Sequence, residues 1–405
     1  MKTNNILTSV PPFCQTADLG GATTAKSEGT ISPSEDFDQF DLERFTRKIW
    51  EGKTVYYETI CFAEQEDGTI SSGTLLYMPD RILSVRSGDL RTRYEEGKDF
   101  TLCKNRILLT KNTRIKIFSR NEALETANEN NAWLRIAEQD NALRLNTDIS
   151  QIYQVAVCYT HSDTWQGFQP TAQLSFLPRT NTSLQKKQPL KIVFYGDSIT
   201  AGWDASGQNE TVIDVTTVQP VNVKSSRPPY TPAWAEIVTQ KLKQVYAHNN
   251  IIKINKGAGG STSDWGVWNV ETLVVPQRPD LVVIAFGMNE AGLPADAFCS
   301  NIEKMIDSIH FSSPETEFLL VSCMMPNCDC TVFAQNQLYL QEEALFAIQA
   351  ARNDLSIGVV PVHRMFLSLH EMGKLYTDYS SNNVNHPNDF AICIYAQMIL
   401  HALGC

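Results

Sequence analysis

The chain has 405 residues, of which 42% are apolar and 20% charged, and its formal net charge is −11. Those values describe a globular protein with room for two domains, and the acidity argues against nucleic acid or an anionic membrane surface as partner. No apolar stretch is long enough to span a bilayer.

The first ten residues hold one basic side chain, Lys2, and no sustained apolar run. That is a poor signal peptide, so a reduced, cytoplasmic chain is the expectation. Residues 1–40 include a Thr-, Ser-, Gly- and Ala-rich stretch and read as a flexible arm. From 41 to 178 the pattern is short alternating runs rich in Val, Ile, Tyr and Thr, over 54–62, 73–77, 82–85, 107–109, 114–118, 151–159 and 172–176. Turn signals such as Glu66-Asp67-Gly68 and Ser87-Gly88-Asp89 separate them. The expected fold is a β-sandwich of jelly-roll type. Residues 179–189 are polar and bracketed by Pro178 and Pro189, and read as a linker.

From 190 to 405 strands alternate with helices. Strands are expected over 191–195, 251–255, 281–286, 318–323 and 357–362. Helices are expected over 232–247, 264–275, 295–309, 334–352 and 390–403. This pattern predicts a five-stranded parallel sheet covered on both faces, an α/β fold. The segment from Asp204 to Tyr230 reads as a lid or a wall.

Four stretches of this half stand at strand ends or in loops, where reacting groups of α/β folds gather. Gly196-Asp197-Ser198 offers a nucleophile. Asn255-Lys256-Gly257-Ala258-Gly259-Gly260 lets bare backbone approach a ligand and donate to an oxyanion. Gly287-Met288-Asn289-Glu290 adds a side-chain amide. Asn383-Val384-Asn385-His386-Pro387 offers a general base. Taken singly, each has an ordinary reading. Ser198 fits a helix cap, the Gly-rich stretch a simple turn, Asn289 a turn residue, and His386 a surface side chain.

Together and in this order, the four blocks resemble those of the SGNH/GDSL hydrolases. The resemblance covers residues 190–405 and implies a flavodoxin-like α/β/α domain that hydrolyses esters through an acyl-enzyme. It implies Ser198 as nucleophile and His386 as base. The oxyanion donors would be the N–H groups of Ser198 and Gly260, with Gly259 the alternate, and the Asn289 amide. A β-rich domain ahead of such a hydrolase is similar in architecture to two-domain carbohydrate esterases. In the family the His block reads Asp-x-x-His, but Asn383 stands at the acidic position here. The expectation is therefore a Ser–His dyad or an Asn383-assisted His386, with Asp378 and Asp389 as fallback carboxylates and Asp197 bracing its own loop.

Trp203, Trp265 and Trp268 follow the first two blocks and are expected to line the substrate side. The loop from His161 to Gly167 is expected to reach across the cleft. No cofactor is expected. Nor is a metal, since Cys323, Cys328 and Cys330 lack a fourth ligand and a CxxC knuckle. The expected activity is a serine esterase on small acyl esters, first of all O-acetyl groups on a saccharide. A lipase or thioesterase of the same fold and a silent carbohydrate-binding protein are the other readings.

Overall fold

Five short apolar runs build the centre of the protein. The computed structural model describes residues 38–137 and 139–405. The arm expected over 1–40 lies outside the described residues up to residue 37. Strands β1 (Thr54–Cys61), β2 (Gly73–Thr74), β3 (Pro79–Ser87), β4 (Phe100–Cys103), β5 (Arg106–Leu109), β6 (Leu124–Thr126), β7 (Asn141–Leu143) and β8 (Gln154–His161) make up the N-terminal region. They pair antiparallel as β1-β8-β3, as β2-β5-β4, and as a β6–β7 ribbon.

The second half holds β9 (Leu190–Gly196), β10 (Asn209–Ile213), β11 (Pro220–Lys224), β12 (Ile251–Asn255), β13 (Leu281–Ala285), β14 (Glu317–Val321) and β15 (Ile357–Val360). Five of these form one parallel sheet in the order β12-β9-β13-β14-β15. Counted along the chain this is 2-1-3-4-5, the flavodoxin-like winding. The chain reverses direction across the sheet beside β9, between it and β13. Ligand crevices of such folds open there, at the carboxyl ends of the strands.

Sequence alternation decides which face each side chain serves. In β9, Ile192 and Phe194 join one core, with Trp234, Leu242 and Phe390 from the helices Trp234–Val245 and Asp389–Ala402. Val193 and Tyr195 join the other, with Val270 and Phe298 from the helices Ser263–Leu273 and Ala295–Ser312. Both sheet faces are therefore dry. Full burial of side chains such as Val193 and Phe194 stabilises by ~1.5–3 kcal/mol each. Phe194→Ala removes more, ~3–5 kcal/mol, because a cavity is left behind.

Several expectations in the first half change. Among the described residues, the 114–118 run forms no ladder and makes only a single bridge, Ala63 to Phe118. Residues 172–176 hold a 3₁₀ turn, Leu174–Phe176, rather than a strand. The expected linker is mostly helix, Pro178–Lys186, with Pro178 in the first turn and Leu184 buried. The Glu317 carboxylate accepts from the N–H groups of Arg179 (2.9 Å) and Thr180 (2.7 Å) at that helix start. A polar sequence between two prolines is thus a docked helix with a wet outer face.

The two halves share one apolar core. Tyr57, Ile60, Val157 and Tyr159 of β1 and β8 belong to the cluster that holds Trp234, Phe366 and Tyr395. Buried polar groups cross the same boundary. The Asn388 side chain caps the last helix by accepting from Ala391 N–H (2.9 Å). Its amide donates to Thr59 Oγ1 (3.0 Å), Gln154 Oε1 (2.7 Å) and the Asp378 carbonyl (3.0 Å). Lys374, fully buried, donates to Glu58 Oε1 at 3.0 Å and to the Thr59 carbonyl at 2.6 Å.

Candidate active site

Ser198 is the first residue of a single helical turn, Ser198–Ala201, that begins where β9 ends. Gly196 makes that turn possible. A Cβ there would lie 2.1 Å from the Ala285 carbonyl oxygen and 2.3 Å from Thr200 Oγ1. Asp197 braces the turn, its Oδ1 accepting from Ile199 N–H (2.9 Å) and its Oδ2 from Met288 N–H (3.4 Å). Burial pushes its carboxyl up to about 6. With both oxygens engaged, it is not aimed at His386.

His386 reaches the same place from the loop before the last helix. Asn382 Oδ1 organises that loop, accepting from the N–H groups of Val384, Asn385 and His386 at 3.0, 3.0 and 3.1 Å. His386 Nε2 lies 3.0 Å from Ser198 Oγ. Its Nδ1 lies 2.9 Å from Asp204 Oδ2, which also accepts from Ser381 Oγ at 2.8 Å. Burial alone would raise the Asp204 carboxyl; the hydrogen bond and charge of His386, with the Ser381 hydroxyl, hold it below the ordinary carboxylate value. With its proton on Nδ1, the imidazole presents a lone pair to the Ser198 hydroxyl.

This corrects the expectation for the His-orienting group. Asn383 does not face His386. It is buried, with a left-handed backbone (φ 69°), and its amide donates to the carbonyls of Ala123 (2.9 Å) and Arg144 (3.3 Å). The fallback carboxylates are also engaged elsewhere. Asp378 accepts from Cys61 N–H (2.7 Å) and Leu375 N–H (2.8 Å), and Asp389 from Ser206 N–H (3.0 Å). A single Asp six residues past the serine carries no spacing signal, so the sequence does not mark Asp204 as a carboxylate for His386. Its place in the turn directly after the Ser198–Ala201 helical turn is the feature that points to it.

The residues expected as oxyanion donors line one cleft. Gly260, at φ 76°, and Gly259 line a cleft of about 670 Å³ together with Ser198, Asn289 and His386. The Ser198 N–H is at the start of its helical turn, where no intrahelical acceptor exists. Asn289 Nδ2 donates to the Ser261 carbonyl (2.9 Å), which ties it to the Gly-rich block and leaves its second amide hydrogen for the cleft.

The substrate side differs more. Trp203 is exposed and lines the cleft. Trp265 instead packs, partly buried, against the core, its Nε1 donating to the Val215 carbonyl (3.0 Å), and Trp268 is 76% exposed, away from the cleft. The His161 loop does not reach across, since His161 is buried and stacks on Tyr77 at 3.6 Å. The opposite wall comes from Trp133, Leu145 and Thr147 of the N-terminal region, which no sequence signal singled out. The 204–230 segment is a wall. Its β10–β11 hairpin turns Val212, Val221 and Val223 to the cleft. Asp204 and Asp214 line the cleft, and among the described residues no Lys or Arg does. Among the described residues no group of three or more His, Cys, Asp or Glu stands ready to hold a metal ion, and no helix is long and apolar enough to cross a membrane.

Residues 194–390 match the model of the GDSL-like Lipase/Acylhydrolase family. Among solved structures, the chain is similar to a lipase/acylhydrolase from Enterococcus faecalis, at 20% identity over 52% of this chain and 93% of that one, with a TM-score of 0.36. A two-domain esterase (CEX) active on acetylated mannans matches at 20% identity over 57% of this chain, with a TM-score of 0.41; the match spans 53% of that esterase. A catalytic mutant of Axe2, an acetylxylan esterase from Geobacillus stearothermophilus, matches at 17% identity over 53% and 94% of the two chains, with a TM-score of 0.39. No curated protein matches the chain. Ser198, Asn289 and His386 all lie within the stretch that matches the GDSL-like lipase/acylhydrolase family model.

Proposed function

We propose that this protein is a serine-dependent carboxylic ester hydrolase that works through an acyl-enzyme. The observation that carries the reading is His386, bonded through one ring nitrogen to Ser198 and through the other to Asp204. A serine hydroxyl is a weak nucleophile near neutral pH, so the base must take its proton as it attacks the ester carbonyl. His386 takes it through Nε2, and the Asp204 charge stabilises the imidazolium. Negative charge then gathers on the former carbonyl oxygen. The N–H groups of Ser198 and Gly260 and the Asn289 amide stand around that space, and one such donor is typically worth ~3 kcal/mol. His386 returns the proton to the leaving alcohol. It next activates a water that releases the acid and restores Ser198.

For the substrate, the first reading is an O-acetyl group on a carbohydrate. Its support is the pair of exposed indoles, Trp133 and Trp203, at the cleft, since flat aromatic faces suit sugar rings. The absence of basic side chains from the lining, among the described residues, disfavours an anionic head group. A longer apolar acyl chain is the second reading, favoured by Val212, Val215, Val221 and Phe333 on the walls. In the first the apolar wall faces the sugar's leaving side; in the second it holds the acyl chain. The silent-protein reading rested on a missing carboxylate, and Asp204 removes that support.

The test measures acetate release from acetylated oligosaccharides beside p-nitrophenyl esters of rising chain length, with Ser198→Ala as control. Acetate release abolished by Ser198→Ala is the expected result. An optimum at butyrate or beyond moves the substrate to the second reading. Full activity in Ser198→Ala refutes the serine mechanism.

A further inference from the structure

Both side chains behind the nucleophile are tied to the N-terminal region. The backbone N–H, the carbonyl and the side-chain NH2 of Asn383 each have a partner. Its N–H donates to Ser380 Oγ (3.0 Å) and its carbonyl accepts from Asn327 Nδ2 (2.9 Å). Its amide donates to Ala123 and Arg144, the two residues whose own backbones bond (Arg144 N–H to the Ala123 carbonyl, 2.8 Å) where β6 and β7 meet. One residue back, the Asn382 carbonyl accepts from Asn146 N–H at 3.2 Å, while the Asn382 side chain holds the His386 N–H. The chain of bonds from the ribbon to the His386 backbone is therefore unbroken.

A second tie runs to Asp204. Arg227 donates to the Thr147 carbonyl at 3.2 Å and stands 3.7 Å from the Asp148 carboxylate. Its other guanidinium nitrogen lies 3.5 Å from the Asp204 carbonyl oxygen. Between these two ties, Leu145 and Thr147 face the cleft. The same short piece of chain thus anchors the base, anchors its carboxylate and walls the substrate space.

We infer that the β6–β7 ribbon, with its continuation to Asp148, is a working part of the catalytic site, and that Asn383 and Arg227 are positioning residues that hold His386 and Asp204 to it. Asn suits position 383 for two reasons. It tolerates the left-handed backbone, and it presents a donor to two carbonyl oxygens. An aspartate there would aim lone pairs at those oxygens. It would push the loop from the ribbon rather than serve His386.

The inference rests on the reading of Ser198 and His386 as nucleophile and base, and two kinds of readout keep them apart. Asn383→Gly accepts the backbone angle and deletes only the amide. It is expected to lower kcat on p-nitrophenyl acetate by about 100-fold, the loss that a displacement on the order of 1 Å produces, with KM within about threefold. It should also broaden the far-downfield Nδ1–H proton signal of His386, assigned with His386→Ala. Asn383→Asp is expected to fall at least as far and to leave Asp204→Asn unrescued in the double variant. Arg227→Met, at a half-buried position, should lose about tenfold in kcat with an unchanged melting temperature, and Arg227→Lys should recover part of it.

Wild-type kcat and an unchanged Nδ1–H signal in Asn383→Gly would overturn the inference, whatever its melting temperature. So would rescue of Asp204→Asn by Asn383→Asp, or an Arg227→Met enzyme with full kcat. Ester hydrolysis that survives Ser198→Ala would sink the reading beneath it, and the Nδ1–H signal would still decide whether the ribbon positions His386.

Discussion

Asp204→Asn separates the charge behind His386 from its shape. Asp204 Oδ2 accepts from both His386 Nδ1 (2.9 Å) and Ser381 Oγ (2.8 Å). An Asn with its oxygen at that position keeps both bonds, so the imidazole keeps its tautomer and only the charge is lost. Two unit charges ~4 Å apart at an effective dielectric of ~20 interact by ~4 kcal/mol. At ~1.4 kcal/mol per decade that is a fall of ~10³ in kcat, somewhat short of the ~10⁴ seen where the tautomer also goes wrong. KM for p-nitrophenyl acetate should stay within about threefold, because Asp204 acts on the base rather than on the bound ester. The assay is steady-state hydrolysis, with the rate of labelling by a serine-directed phosphonate as a second measure of nucleophile activation. A variant within tenfold of wild type by both measures would refute the reasoning, and would return the site to a Ser–His dyad.

Three further outcomes follow from the geometry. Asn289→Ala should lower kcat by ~10²–10³ with little change in KM, measured on the same ester. Glu290 is buried, accepts from Ser263 N–H (2.7 Å), and is pushed up to about 7 by that burial, from an ordinary 4.5. An acid whose folded value is raised stabilises fully below its unfolded value and loses that contribution as pH rises through the folded one. That rise corresponds to about 3 kcal/mol. Wild-type melting temperature should therefore fall between about pH 5 and about pH 8, and Glu290→Gln should flatten that slope. Asp204 has the opposite sign. Its lowered carboxyl contributes stability that is present above the unfolded value and lost as pH falls through the folded one. Lys374→Met leaves Glu58 and Asp378 buried without their cation and should cost about 3–5 kcal/mol in urea unfolding. Replacing Glu58 by Gln as well should recover part of it.

The second half of the fold was legible because its strands are buried on both faces. Runs such as Leu281-Val-Val-Ile and Phe318-Leu-Leu-Val admit no polar interruption, and the structure pairs both in the central sheet. The first half mixes three long strands, two of them largely buried, with strands of only two to four residues, so alternation overstated several of its runs. Residues 114–118 have the right composition, but no neighbour lies alongside them for more than one bridge. The β10–β11 hairpin was hidden by its polar outer edge, with Glu210 turned in toward Lys253 (2.6 Å). At the site, Ser198, the Gly-rich block, Asn289 and His386 were readable because each belongs to a short block with its own backbone demand. Asp204 makes no such demand. It works through a contact between residues 182 positions apart, which only the folded chain supplies. Asn383 shows the converse, a residue in a marked position whose side chain points into another part of the molecule.

The three partners of the Asn388 amide set how this protein can be inherited. Thr59 and Gln154 lie on β1 and β8, and Asp378 lies on the hydrolase side. A buried polar group stripped of its partner costs ~1–3 kcal/mol, and Asn388, Lys374, Asp378 and Asn383 would all be stripped together by a cut near residue 189. That sum is a large share of the ~5–15 kcal/mol that holds an ordinary domain folded. The seam at which the hydrolase blocks begin is thus not a seam in the molecule. Recombination that moved residues 190–405 alone would leave these groups, and the core face that β1 and β8 cover, without partners, so gene fusions that keep the Ser198 and His386 blocks must carry β1 and β8 with them.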